Sequence, residues 1–159
     1  MDTGVANANG KGSWDEPPTP YAAKYPKNHV RYSETGHIEE WDDTPGKERL
    51  HKYHRTGTFE EIHPDGTRVT KIVGDEYEIV HKDNNLHVKG NCNITVDGST
   101  TLYTKGNADI QVDGDTHLHC GGNVTSQTDK NWDHHINGTC TIVSDGNMKL
   151  QAPRIDLNP

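Results

Sequence analysis

Hydrophobic and polar residues alternate regularly along the second half of the chain. From Lys89 to Ala152 the sequence divides into eight segments of eight residues: KGNCNITV, DGSTTLYT, KGNADIQV, DGDTHLHC, GGNVTSQT, DKNWDHHI, NGTCTIVS and DGNMKLQA. The fourth, sixth and eighth places of these octads are mostly apolar, whereas the fifth and seventh places are almost always polar. This alternation predicts one short β-strand per octad, with one face of each strand buried.

Each octad also predicts a corner before its strand. Glycine occupies the second place in seven of the eight octads, and Lys130 replaces it in the sixth. Because glycine adopts backbone conformations that residues with a Cβ resist, we expect the chain to turn there. One short strand per corner fits a β-solenoid better than a series of hairpins. The predicted corner glycines are Gly90, Gly98, Gly106, Gly114, Gly122, Gly138 and Gly146.

The low apolar content of the chain indicates that its core is shared between copies. Only 29% of the 159 residues are hydrophobic, and the mean hydropathy is -0.98. A single chain with so little apolar material would not offset its loss of conformational entropy. Three chains wound about one axis would share a core and remove the lateral strand edges. We therefore predict an all-β homotrimer, an intertwined triple-stranded β-helix, with a core of Ile94, Val96, Leu102, Ile110, Val112, Leu118, Ile136, Ile142 and Leu150.

Charge, hydropathy and cysteine spacing argue against several other classes of protein. The formal net charge of -8 argues against a nucleic-acid partner, which requires a basic surface. No apolar run approaches the roughly 20 residues that a membrane-spanning helix needs. Cys92, Cys120 and Cys140 are an odd number without a CxxC spacing, so neither a disulfide framework nor a zinc site is predicted.

Residues 36–80 carry several short motifs: Gly36-His37, the turn Asp42 to Gly46, Glu48-Arg49, His54 to Thr58, Gly66, and Val73 to Asp75. Together they resemble the central spike of T-even-like contractile phage tails. The octads are similar to the triple-stranded β-helix of that family and of the valine-glycine-repeat spike of type VI secretion. The resemblance covers about residues 30 to 159. It implies an irregular β region at 31–80, the octad β-helix at 81–152 and a tip at 153–159, after an extended linker at 1–30 that is rich in Pro, Gly and Asn.

The resemblance implies a structural, non-enzymatic protein of the virion, located in the tail baseplate. Its expected function is to pierce the bacterial outer membrane during tail contraction, in transient contact with that membrane. A hub domain with an oligonucleotide-binding-like fold is the partner expected at the N-terminal end. Residues 1–30 are too few for such a domain, which leaves a needle half of a larger protein or a spike docked on a separate hub. The alternative is a trimeric β-helical tail-fibre enzyme, or a receptor-binding fibre, acting on surface polysaccharide.

The C-terminal residues predict a contact surface for a second partner. Pro153 removes a backbone donor, and the alternation resumes one place early, so the octad repeat stops there. Three blunt chain ends would expose strand edges, which proteins normally cover. By resemblance, the cover is a small conical protein of the proline-alanine-alanine-arginine repeat type; the alternative is that the three tails close the end themselves. The residues predicted to dock the tip protein are Ile155, Asp156, Leu157, Asn158 and Pro159.

Three groups of polar residues are candidates for chemical sites. Glu39, Glu40, Asp42 and Asp43 could form a glycosidase carboxylate pair, but they flank a Thr-Pro-Gly turn and are interpreted as strand and corner residues. His117 and His119 occupy outward places and are interpreted as surface histidines. His134 occupies an inward place, so three copies would meet on the axis around a water, an anion or a metal, with water or anion favoured. No cofactor and no catalytic residue are predicted.

Overall fold

The structure, a computed structural model, describes residues 5–6, 13–14 and 16–156. These residues form β-strands and no helix, which confirms the predicted all-β class; hence no helix among them could cross a membrane. The chain divides into two compact units between Tyr103 and Thr104, and all seven strands of the described residues lie in the first unit. The strands are β1 (Val5–Ala6), β2 (Ser13–Trp14), β3 (Asn28–Tyr32), β4 (Ile38–Asp42), β5 (Arg49–Tyr53), β6 (Phe59–Ile62) and β7 (Arg68–Lys71).

Strands β3 to β7 form one antiparallel sheet in which each strand pairs with the next along the chain. The register aligns Trp41 with Leu50 and Leu50 with Ile62 on one face. On the opposite face it aligns Glu40 with His51 and His51 with Glu61. The two faces of the sheet therefore differ in chemistry, because successive residues of a strand point to opposite sides. Strands β1 and β2 form a separate antiparallel pair.

Three of the four turns in this sheet share one hydrogen-bonding pattern. In the turn between β5 and β6, the Gly57 amide donates to the His54 carbonyl at 2.8 Å, and the His54 amide donates to the Thr58 carbonyl at 2.8 Å. Gly57 has a φ of 100°, a conformation that residues with a Cβ rarely adopt. The turns after β3 and β6 repeat these bonds around Gly36 and Gly66. The sequence motifs that contain these glycines thus lie at hairpin turns.

One face of the sheet is covered by residues 16–27, called here the arm, which lie in the range predicted as a linker. The Thr19 hydroxyl donates to Glu61 Oε2 at 2.9 Å, and the Tyr21 ring lies 4.9 Å from the guanidinium carbon of Arg49. At the far end of the arm, the Lys24 amide donates to the Thr44 hydroxyl at 2.9 Å. We call this side the covered face, and the opposite side, which carries Trp41, the open face.

The backbone of the octads bends at intervals of eight residues. In the first unit the bends lie at 73–74, 81–82, 89–90 and 97–98, and in the second at 105–106, 113–114, 121–122, 129–130, 137–138 and 145–146. The predicted period is therefore present, and it begins two octads before Lys89. Within one copy, residues 72–156 form no strand. Pairing of octad strands between chains stays a prediction.

The octad glycines form their bends without a left-handed backbone in one copy. None of the seven predicted corner glycines has a φ in the left-handed region, and a Cβ added to any of them would meet nothing within 4 Å in one copy. The bend at 129–130 forms with lysine in the second place. A bend without positive φ accepts any residue, which explains why Lys130 is tolerated there.

Candidate functional site

The open face presents a band of large apolar side chains across the three central strands. Trp41, Leu50 and Ile62 are cross-strand neighbours, and the first two are 48% and 47% exposed. Beside this band, Glu39, Lys52 and Glu60 form a parallel row of alternating charge. The two rows line a hollow of about 220 Å³. An uncovered apolar band with a charged border is typical of an assembly surface.

The covered face carries a buried cluster of charges centred on Arg49. Its guanidinium nitrogens Nη2 and Nη1 bind Glu40 Oε2 and Glu61 Oε2, respectively. All three residues are buried, at 4%, 7% and 3% exposure for Arg49, Glu40 and Glu61. His63 Nε2 lies 2.9 Å from Glu61 Oε1, on the side away from the arginine. Because Arg49 on β5 binds one carboxylate on β4 and one on β6, the cluster links the three strands. Removing one partner would leave an uncompensated buried charge.

The charges of this cluster and its burial change the pKa of Glu61 and of His51, which is the cross-strand neighbour of Glu40 and Glu61. Burial lowers the pKa of His51, and the positive charge of Arg49 lowers it further, although Glu61 and Glu40 oppose the change. For Glu61, burial alone would raise the pKa, but hydrogen bonds from Arg49 and Thr19 outweigh it and lower the pKa. The lowered pKa of His51 favours its neutral form, and the lowered pKa of Glu61 favours its ionised form.

The carboxylates weighed as a glycosidase pair occupy structural positions. Glu39, Glu40 and Asp42 lie on β4, and Asp43 directly follows it, as predicted. Glu40 binds Arg49, and Asp42, only 2% exposed, accepts a hydrogen bond from the Thr44 amide at 2.9 Å. These contacts fix the strand and the turn after it. They account for the acidic cluster without a substrate.

The octad residues singled out from the sequence are exposed in one copy. The predicted core residues include Leu102, Ile110 and Leu118, which are 86%, 89% and 83% exposed. His117, His119 and His134 are exposed as well, and the described residues contain no group of three potential ligands that could hold a metal ion. The three cysteines are free thiols. The structure of one copy therefore brings none of the predicted core residues together.

Part of the predicted tip lies within the described residues. Ile155 is 48% exposed, and Asp156 pairs with Arg154 at 2.9 Å. Leu157, Asn158 and Pro159 lie outside the described residues.

Sequence reasoning did not identify the open face or the Arg49 cluster. Both were signalled by alternation within β4 and β5, where Trp41 and Leu50 fall on one face and Glu40 and Arg49 on the other. The apolar band was not recognised in the sequence because each of these strands contributes only one large apolar residue to that face, next to charged residues.

No known family model matches the sequence. Two curated phage proteins are similar to it. The chain is similar to central spike proteins of phage baseplates. It is 67% identical over 98 residues to Protein Gp5 of Vibrio phage KVP40, a match that covers 61% of this chain and 23% of that protein. It is 45% identical over 84 residues to the pre-baseplate central spike protein Gp5 of Enterobacteria phage T4, covering 53% of this chain and 15% of that protein. The resemblance predicted from the motifs is confirmed, and the matched region spans less than a quarter of either relative.

Proposed function

We propose that this chain forms the needle of a baseplate central spike, which pierces the bacterial outer membrane when the tail contracts. In this proposal three copies wind about one axis, and the octads form an intertwined triple-stranded β-helix. The name of the T4 relative supports the spike role, because that protein is a pre-baseplate central spike protein. The virion baseplate is the proposed location.

The observation that carries the proposal is the regular but coreless geometry of the octads. Bends recur every eight residues, yet the side chains predicted to point inward, such as Leu102 and Ile110, remain more than four-fifths exposed in one copy. Burying a leucine or isoleucine side chain stabilises a fold by about 1.5–3 kcal/mol. A chain that leaves much of this contribution unused is expected to obtain it by packing against other copies. Folding and trimerisation would then be one event.

The open face of the sheet supports the same arrangement in the region before the octads. The covered face is already in contact with the arm, whereas Trp41 and Leu50 on the open face remain about half exposed among the described residues. We propose that this band faces the threefold axis. The three sheets would then contribute to the same shared core as the octads.

A needle of this design suits a mechanical role. When every strand is hydrogen-bonded along the axis to a neighbouring chain, force on one strand is distributed over many bonds. The formal charge of -8 and the low apolar content reduce adhesion to lipid and to anionic envelope sugars. We propose a non-enzymatic role for this segment, because Glu40 and Asp42 are engaged in structural contacts.

Two partners complete the proposal. A hub with an oligonucleotide-binding-like fold would join the N-terminal side, and a small conical tip protein would dock on Ile155 to Pro159. The docking surface is tested by deleting these five residues and measuring binding of the candidate tip protein from the same genome. Equal affinity of the shortened and full chains would contradict the docking, while the needle proposal would stand.

The experiment that tests the proposed role locates the chain in the virion. Gold-labelled antibodies against the chain are applied to purified tails before and after contraction, and the label is located by electron microscopy. We expect label at the centre of the baseplate, projecting beyond it in contracted tails. Label along the fibres would contradict the spike and favour the fibre alternative.

A further inference from the structure

The open face ends, at one side of the sheet, in a row of residues with hydrogen-bonding side chains. Ser33, His37, His54 and Thr58 lie in the turns after β3 and β5, on the same face as Glu39 and Lys52 because alternate residues share a side. The rings of His37 and His54 have centroids 4.4 Å apart. These residues, together with Arg31 and Lys52, line a hollow of about 680 Å³.

Backbone contacts determine which nitrogen of each histidine carries the proton. The Arg55 amide donates to His37 Nδ1 at 3.5 Å, and the Thr56 amide donates to His54 Nδ1 at 3.3 Å. The Thr56 hydroxyl also lies 2.7 Å from His54 Nδ1. A nitrogen that accepts a hydrogen bond from an amide is unprotonated, so each neutral ring carries its proton on Nε2. Both histidines are therefore Nε2–H donors.

We propose that His37 and His54 form a binding site for a small oxyanion of the phosphate class. Neither Nε2 atom has a hydrogen-bond partner among the described residues, and both rings line the same hollow. Two N–H donors on adjacent rings can bind two oxygens of one anion. The Thr58 hydroxyl can donate as well, because its oxygen already accepts a hydrogen bond from the Val73 amide at 3.1 Å.

The charges around the hollow agree with an anionic ligand. Arg31 and Lys52 supply two cations, and one of the two neighbouring carboxylates, Glu60, is paired with Arg68 at 2.9 Å. A metal ion is a poor fit, because it requires a lone pair on the nitrogen that carries the proton in this tautomer.

All residues of the site belong to one chain, and its lining does not include Trp41, Leu50 or Ile62, the band proposed to face the axis. The test uses the full chain with ¹⁵N-labelled histidine. Long-range ¹H–¹⁵N spectra report the tautomer of each ring directly, and inorganic phosphate is then titrated at neutral pH. We expect Nε2–H tautomers for His37 and His54 and saturable shifts of both signals.

Three variants assign the binding. His54→Leu removes one donor, and we expect phosphate affinity to fall roughly tenfold, as for loss of one hydrogen bond to a charged group. His54→Gln keeps an N–H donor at the end of the side chain and should bind within a few-fold of the natural chain. His29→Leu is the matched control, because His29 is an exposed histidine on the same face, beside Trp41, and should leave affinity unchanged.

Several results would overturn the proposal. One is an Nδ1–H tautomer at either ring, and another is an equal loss of affinity in His29→Leu and His54→Leu. A response of the two rings to zinc but not to phosphate would assign a metal site instead. A response to phosphatidylglycerol vesicles without a response to inorganic phosphate would assign the site to a lipid headgroup rather than a soluble oxyanion.

Discussion

The five-stranded sheet and the octads are stabilised in different ways, although both have few apolar residues to bury. The sheet pairs its strands within one chain and buries a charged cluster, Glu40, Arg49 and Glu61, in place of an apolar core. The octads bend every eight residues but form no strand and bury no side chain within one copy. The comparison indicates that the first region specifies its local fold alone, whereas the second depends on other copies.

The largest effect is expected from a substitution that disrupts the octads and leaves the five-stranded sheet unchanged. Ile142→Asp would place three carboxylates on the proposed axis at one height, which should cost several kcal/mol and abolish the trimer. The matched control is Thr141→Asp, because the neighbouring residue points outward in the predicted alternation. Sedimentation velocity measures the assembled fraction. An intact trimer in Ile142→Asp, or equal loss in both variants, would show that the inward phase is wrong.

A second substitution breaks the sheet instead. Arg49→Met leaves Glu40 and Glu61 buried without their partner, and we expect a loss of about 3–5 kcal/mol in the free energy of unfolding of the sheet. Arg68→Met is the control, because the exposed pair of Arg68 with Glu60 contributes about 0–1 kcal/mol. Tyrosine and tryptophan fluorescence during denaturant unfolding reports on the sheet. A similar loss in both variants would contradict the central role of the Arg49 cluster.

Acidification should weaken the sheet in two stages. Because the folded pKa of His51 lies below its ordinary value of 6.5, the unfolded chain binds more protons in that window, and stability falls as the pH drops from 6.5 through the folded pKa. The folded pKa of Glu61 also lies below its ordinary value of 4.5, so its contribution is lost as the pH drops from 4.5 through the folded pKa.

Denaturant unfolding of the full chain across this pH range measures both stages. His51→Gln should flatten the first stage and leave the second, whereas Glu61→Gln should flatten the second. A stability that rises on acidification from pH 6.5 would contradict the assigned direction for His51.

The smallest expected effect concerns the octad that lacks a corner glycine. Because the bend at 129–130 forms without positive φ, Lys130→Gly should destabilise the assembled chain slightly, by about 0.5–1 kcal/mol, through the greater freedom of the unfolded chain. The midpoint of thermal unfolding measures this change. A clear gain in stability would show that the corner requires glycine after all.

Much of the periodic organisation could be predicted from the sequence because it repeats. The glycine and the alternation recur often enough from Lys89 onward to give the period of eight. The octad at 73–80 was missed because Glu76 and Glu78 occupy places that are apolar in later octads and conceal the alternation. The bend at 73–74 reveals it.

The chemistry of the sheet was harder to predict because it depends on cross-strand register. Glu40 and Glu61 are 21 positions apart in the sequence, and only the pairing of β4 with β5 and β5 with β6 brings both to Arg49. The tautomers of His37 and His54 likewise depend on amides supplied by a turn. Composition and spacing carry no signal for contacts of this kind.

The measurement that tests the central claim most directly is the mass of the full chain in solution. Sedimentation equilibrium, or mass spectrometry under native conditions, counts the copies in each particle. A core shared along the octads predicts three chains per particle at all concentrations at which the chain is folded, with no folded monomer. A folded monomer, with the octads protected from hydrogen exchange in a single copy, would contradict the shared core.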